Sequence, residues 1–251
     1  MNGLIPLLSK EIKEQVRTYR VLIVAAVFVM FGISSPLLLK YMPEILKMAG
    51  EGMNITMPDP TTAQALGEYV GNIGQIGLLI AVLMAMGGIA NEIRHGTAVI
   101  PLTKPISRTA FVTAKLAALS MTFVASLGIA STICFGYSVW LIGPSNVNAF
   151  IGVNLLVALF LVFCLALTLL LSSVFRSSLA AGGLALGALV AQSAFGMLPV
   201  VGNFTPGKLL SWSSNLLSAQ SAAYWGALVF TTVAIVACVA GTRLLVSRKE
   251  I

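Results

Sequence analysis

Side chains able to do chemistry are few in this chain: eight Asp and Glu, fifteen Lys and Arg, and one His among 251 residues. Six of them, including the sole His, fall in residues 91–115: Glu92, Arg94, His95, Lys104, Arg108 and Lys115. Gly96-Thr97 and Pro105 interrupt any long helix there and leave room for a short one. Apolar runs flank the stretch on both sides. A short basic element held at a membrane face suits electrostatic docking to carboxylates on another protein. An enzyme acting inside a membrane needs a base or metal ligands at depth, and the sole His lies in this connector instead.

Other chemical motifs carry less. Gly202-Asn-Phe-Thr-Pro-Gly-Lys208 fits the start of a phosphate-binding loop, but Leu209 stands where Ser or Thr should hold magnesium. No strand precedes it and Pro206 removes an amide, so the match is read as chance. Met42, Met48, Met53 and Met57 fall in 40–72, where thioethers could bind Cu(I). Their spacing is loose and no His or Cys is near, so packing explains them more simply. Cys134, Cys164 and Cys238 each sit in an apolar run and read as packing residues. Asn54-Ile-Thr56 and Asn203-Phe-Thr205 match a glycosylation sequon, a weak three-residue signal.

The elements that must position these residues follow from composition. The chain is 58% hydrophobic and 9% charged, with mean hydropathy +0.97. This is the composition of an integral membrane protein. Long uncharged runs favour helices over a barrel, whose strands alternate. The net charge of +7 resembles a nucleic-acid signal, but the positive residues sit beside apolar runs as topology signals do, so no nucleic-acid partner is expected. No cleavable signal peptide is expected either.

The expected fold is all-α: one membrane domain over 1–251 with six transmembrane helices, preceded by an N-terminal amphipathic interfacial helix. Residues 4–20 place Leu4, Leu8, Ile12, Val16 and Tyr19 on one stripe, with Lys10, Lys13, Glu14, Arg17 and Arg20 opposite. That helix reads either as a positively charged topology anchor or as a contact element, and the two are compatible. Spans are expected at 21–39, 73–90, 116–142, 150–174, 179–198 and 222–246. Lys and Arg number four in the N-terminal segment, four in 91–115, one in the hairpin (Arg176) and three at the C-terminal end. Against these twelve stand Lys40, Lys47 and Lys208. That bias puts both termini in the cytoplasm of a multi-pass protein of the cytoplasmic membrane. The loop 199–221 is too apolar for solvent, and short helices dipping into the bundle mouth are expected there. Gly183-Leu-Ala-Leu-Gly187, extended by Gly182 and Ala180, offers a close-packing face, read as intrachain rather than as a dimer seam.

Span interiors hold no charge except Arg243 near one end of the sixth. Ion-coupled carriers keep ionisable groups at depth. What remains is Asn154, Gln192 and aromatics such as Phe195, a possible path for an amphipathic or apolar substrate. Such a path cannot power transport, so the energy must come from a partner.

Glu92-x-x-x-Gly96-Thr97, Leu102-x-x-Pro105-Ile106-Ser107-Arg108 and Phe111-x-x-x-Lys115 together resemble the permease subunits of type-2 ATP-binding-cassette exporters. Lys10-Glu11 and Arg17 resemble that family's N-terminal connecting helix. The resemblance implies a pair of permease subunits, homo- or heterodimeric, set in membrane lipids and driven by separate cytoplasmic ATPase subunits. ATP and magnesium would then be bound by those partners, with no cofactor on this chain and no catalysis by it. It also implies that Glu92, Arg94, Gly96, Thr97, Lys104, Pro105 and Arg108 meet the ATPase. The implied cargo is an amphipathic, lipid-like, drug-like or peptide substrate. A stand-alone facilitator or channel, or a permease linked to copper export, is the alternative.

Overall fold

In lipid a backbone has no water to bond, so uncharged runs must satisfy their own amides and carbonyls as helices. The computed structural model describes residues 3–49, 60–94, 107–198, 201–218, 220 and 222–248, and among these there is no strand. The helices are α1 (Leu4–Arg17), α2 (Arg20–Ala49), α3 (Thr62–Ala85), α4 (Ala90–Arg94), α5 (Arg108–Leu141), α6 (Val147–Val174), α7 (Ser178–Phe195), α8 (Lys208–Leu217) and α9 (Trp225–Arg248). A 3-10 turn, Val201–Phe204, precedes α8. Among the described residues six helices are long and apolar enough to cross a membrane.

The uncharged α6 is the centre of the bundle and packs against α3, α5, α7, α8 and α9. Its N-cap Asn146 accepts from the amides of Asn148 and Ala149, which starts the helix cleanly. At the periphery α2 packs on α5 and α3. The α2–α5 approach is so close that a Cβ on Gly32 would lie 2.7 Å from the Ala130 carbonyl oxygen. Outward-facing residues such as Leu83, Leu155, Val190 and Val233 are exposed and apolar, as a lipid solvent requires. Trp140, Trp212 and Trp225 all gather at the end of the bundle where α5 finishes and α9 begins, the place of an interfacial aromatic belt.

Several sequence-based boundaries change. The second span does not begin at 73: α3 starts at Thr62, because Thr61 and Gln64 form a reciprocal capping box. Glu68 and Asn72 hid this part of the helix from an apolar count, yet Asn72 Nδ2 donates to Ser35 Oγ of α2 at 3.2 Å. The first helix runs on past 39 to Ala49, its span reaching Ile45, with Pro36 and Pro43 inside it. Met42 is therefore helical rather than in a loop, while Met53 and Met57 lie outside the described residues. The third helix begins at Arg108, so the end of the 91–115 connector is already part of α5.

The N-terminal helix is shorter than 4–20. It ends at Arg17, and Tyr19 adopts φ 57°, a left-handed conformation that lets α2 start at Arg20 on a new heading. The stripe read from its sequence is only partly the buried one. Leu7, Glu11 and Gln15 are buried, while Val16 and Tyr19 are exposed. The helix docks through one flank of its apolar stripe, where the i, i+4 pair Glu11 and Gln15 points at α5.

The loop 199–221 does carry short helical pieces. On α8, Leu209 and Ser213 are fully buried and Trp212 nearly so, against α6 and α3. The small-residue face of α7 divides. A Cβ on Gly182 would meet Met86 Sδ at 2.7 Å, whereas Gly183 and Gly187 have nothing within 4 Å. The intrachain reading therefore holds for Gly182 only, and the G-x-x-x-G pair itself faces outward.

Candidate functional site

The polar end of the bundle is built around a broken helix. The sequence Gly87-Gly88 follows the C-terminus of α3, and a Cβ on Gly88 would lie 2.9 Å from Leu169 of α6. Glycine permits that approach without displacing the Leu169 side chain. The break exposes backbone groups that lipid cannot satisfy. Ser172 of α6 satisfies three: its Oγ accepts from the Ile89 amide (3.1 Å) and the Ala90 amide (3.0 Å), and donates to the Met86 carbonyl at 2.8 Å. The turn is thereby stitched to the central helix. It re-aims the chain so that α4 presents Glu92 to α1 and α5.

There Lys115, two turns into α5, is buried with 6% of its side chain exposed. A buried ammonium is costly unless paired. Its Nζ donates to Glu11 Oε1 of α1 at 3.0 Å and to Glu92 Oε1 of α4 at 2.7 Å, and it lies 5.3 Å from the Phe111 ring centre. Lys10 covers the same carboxylates from outside, 3.3 Å from Glu11 and 3.7 Å from Glu92, and reaches Glu14 at 3.6 Å. Burial by itself would lower the Lys10 pKa, but Glu11, Glu92 and Glu14 outweigh it and hold the ammonium above its usual 10.5. Deeper along the same interface Thr122 Oγ1 donates to Gln15 Oε1 at 2.6 Å, and both are buried. One cluster thus ties together the N-terminal helix and both described ends of the connector.

Among the residues singled out in the sequence, Lys10, Glu11 and Glu92 meet in this cluster. Arg94 ends α4 and Arg108 begins α5. Arg17 closes α1 on its exposed side, where its charge complements the helix C-terminus. Gly96, Thr97, Lys104 and Pro105, with His95, lie outside the described residues. Sequence reasoning noted the hub of the cluster, Lys115, only in the motif Phe111-x-x-x-Lys115 and gave it no contact role. It also left out Gln15, Thr122 and Ser172, which look like ordinary polar residues in apolar helices.

Asn154, Gln192 and Phe195 are not brought together. Asn154 lines a groove of about 330 Å³ between α5 and α6. There its Nδ2 donates to the Phe150 carbonyl at 2.9 Å and its Oδ1 is buried without a hydrogen-bond partner. Gln192 lines a separate cavity of about 290 Å³ formed by α3, α6, α7 and the start of α8. Phe195 lines neither and is 55% exposed.

A six-helix apolar bundle that concentrates its ion pairs at one end is a multi-pass membrane protein. The model of the ABC-2 family transporter protein matches residues 5–213, and the chain belongs to that family. It is also similar to the uncharacterized transmembrane protein YxlG of Bacillus subtilis (strain 168), 24% identical over 231 residues that span 90% of each chain. Proteins of this family are membrane components of transport systems, not themselves catalytic, and associate with ATP-binding-cassette ATPases. As a member of that family the chain is a permease.

Proposed function

We propose that this chain is the permease half of an ATP-driven exporter, working as a dimer and coupled through 91–115 to a separate cytoplasmic ATPase. The observation that carries the reading is the Glu11–Lys115–Glu92 cluster. It clamps α1, α4 and the first turns of α5 into one unit at the base of three helices. A push on the connector would then move α3 and α5 with it rather than bend a loop. The family membership supports an ATPase partner. The connector residues Glu92, Arg94, Gly96, Thr97, Lys104, Pro105 and Arg108 are its contact, and ATP and magnesium belong to that partner. The excess of Lys and Arg at this end supports placing it, and both termini, in the cytoplasm. Closure of the ATPase pair would rock the bundles between inward- and outward-facing states and move an amphipathic cargo.

Affinity purification of the tagged chain from its own membranes tests the assignment. A cassette ATPase should copurify in stoichiometric amount; recovery of the chain with no ATPase would favour a stand-alone facilitator. Orientation has its own test. The native thiols are buried, so single cysteines can report accessibility. Labels at Thr61 and Gln220 should react from outside intact cells, and one at Thr103 should not.

A further inference from the structure

We propose that the cavity between α3, α6, α7 and α8 binds the anionic head of an amphiphile, with Lys208 as its counter-charge and Gln192 as a hydrogen-bonding partner. Lys208 is the only charged side chain among those lining the cavity. Among the described residues no carboxylate lies within ion-pair distance of it. Its Nζ rests 5.5 Å from the centre of the Tyr224 ring, a weak partner that an anion would outcompete. Gln192 Oε1 is buried with no hydrogen-bond partner, and unpaired buried amides call for a ligand or water. Its Nε2 lies 3.3 Å from where a Cβ on Gly207 would stand, so glycine there keeps the space beside the amide open. Gln75, Ser193 and Ser211 add further polar groups to the lining.

The rest of the wall selects for an amphiphile over a bare anion. Leu78, Phe160, Leu189, Met197 and Leu210 line the same space and have nothing to offer a hydrated ion. The cavity's volume of about 290 Å³ lies at the lower edge of ordinary ligand sites, which run to about 300–1,000 Å³. It therefore takes a head group and its first methylenes, not a whole lipid. The absence of any acidic side chain from the lining disfavours cationic heads. Phosphate and carboxylate heads share the required chemistry, and the source can be a membrane phospholipid or a free amphiphile carried as cargo.

This inference deepens the permease reading by naming a cargo class, but its test needs only this chain. The purified full-length chain, in phosphatidylcholine nanodiscs, is titrated with dodecyl phosphate, dodecyltrimethylammonium or inorganic phosphate. Tryptophan emission, to which Trp212 on α8 one turn from Lys208 contributes, reports occupancy, and Trp212→Phe should remove the response. Dodecyl phosphate should saturate, the trimethylammonium compound should not, and inorganic phosphate should compete only weakly. Lys208→Gln should weaken dodecyl phosphate roughly 10- to 100-fold, while Lys208→Arg stays close to wild type and reports correct folding. Displacement by phosphatidylglycerol would assign the site to a membrane lipid, and resistance to it would assign it to a free amphiphile; both outcomes retain the anionic head. Equal binding of the two dodecyl compounds, or no effect of Lys208→Gln, overturns the proposal. Neither result bears on ATPase copurification, so the two readings fail separately.

Discussion

At one end of the bundle Lys115 is closed off from solvent and held by Glu11 at 3.0 Å and Glu92 at 2.7 Å. At the other, Lys208 lines an open cavity with only an aromatic ring beside it. Both are single lysines near the start of a helix, yet their surroundings are opposite. The first is satisfied by its own chain, so it can hold helices in register and pass on movement. The second has no carboxylate within ion-pair distance among the described residues, which is what makes it the proposed partner of an arriving anion. In this bundle the paired lysine serves to hold helices together, and the lysine beside the cavity is the proposed anion receptor.

The sharpest way to break the first half of this contrast is Lys115→Met. It leaves Glu11 and Glu92 facing each other, and removing one partner of a buried pair costs about 3–5 kcal/mol. Lys10 remains within reach of both carboxylates, so the loss should fall near the lower figure. Thermal unfolding in detergent would measure it, and adding Glu11→Gln should recover part of the loss. Undiminished stability in the single variant would mean the cluster is solvated and holds nothing.

Ser172→Ala should cost less. It removes the one hydroxyl that serves the Ile89 and Ala90 amides and the Met86 carbonyl, and a water taking its place would leave a net loss of about 1–3 kcal/mol in all. Hydrogen exchange of those amides should rise while α6 itself stays protected. Uniform exchange across the bundle would show instead that the turn is not locally anchored.

Lys10→Gln should have the smallest effect, because half of that side chain is exposed and such pairs are worth about 0–1 kcal/mol. The effect carries a pH signature. A folded pKa raised above 10.5 means the Lys10 contribution is complete below that pH and fades as pH rises through the higher folded value. Melting curves of wild type and Lys10→Gln should differ in neutral buffer and converge in strong alkali. Divergence on raising the pH would contradict the charge assignment.

Much of this architecture could be read before any coordinates. Charge-free runs such as Phe150 to Val174 have only one solution in lipid, and the apolar residues Leu209, Trp212 and Leu216 disclosed that the last loop is buried. The spans were misjudged where polar residues serve the helix rather than end it, as Gln64, Glu68 and Asn72 do in α3. The ion cluster was half visible. Lys10, Glu11 and Glu92 stood out by type, but joining residues so distant in sequence depends on the three-way packing of α1, α4 and α5. A hydrophobic pattern does not encode such a meeting. Asn154 and Gln192 were identified as isolated polar groups, but which cavity each one lines depends on how the helices pack.

The claim that the charged end engages an ATPase is tested most directly by Arg108→Glu. Arg108 begins α5 at the edge of the connector. The variant should reach the membrane at the normal level, since no span interior is altered. Breaking a charge pair at a partly buried interface costs about 2–5 kcal/mol, and reversal adds repulsion. ATPase recovery in pull-downs and cargo-stimulated ATP hydrolysis should therefore both fall sharply. Wild-type recovery and wild-type hydrolysis from Arg108→Glu would contradict the account, leaving the connector a solvated loop with no part in coupling.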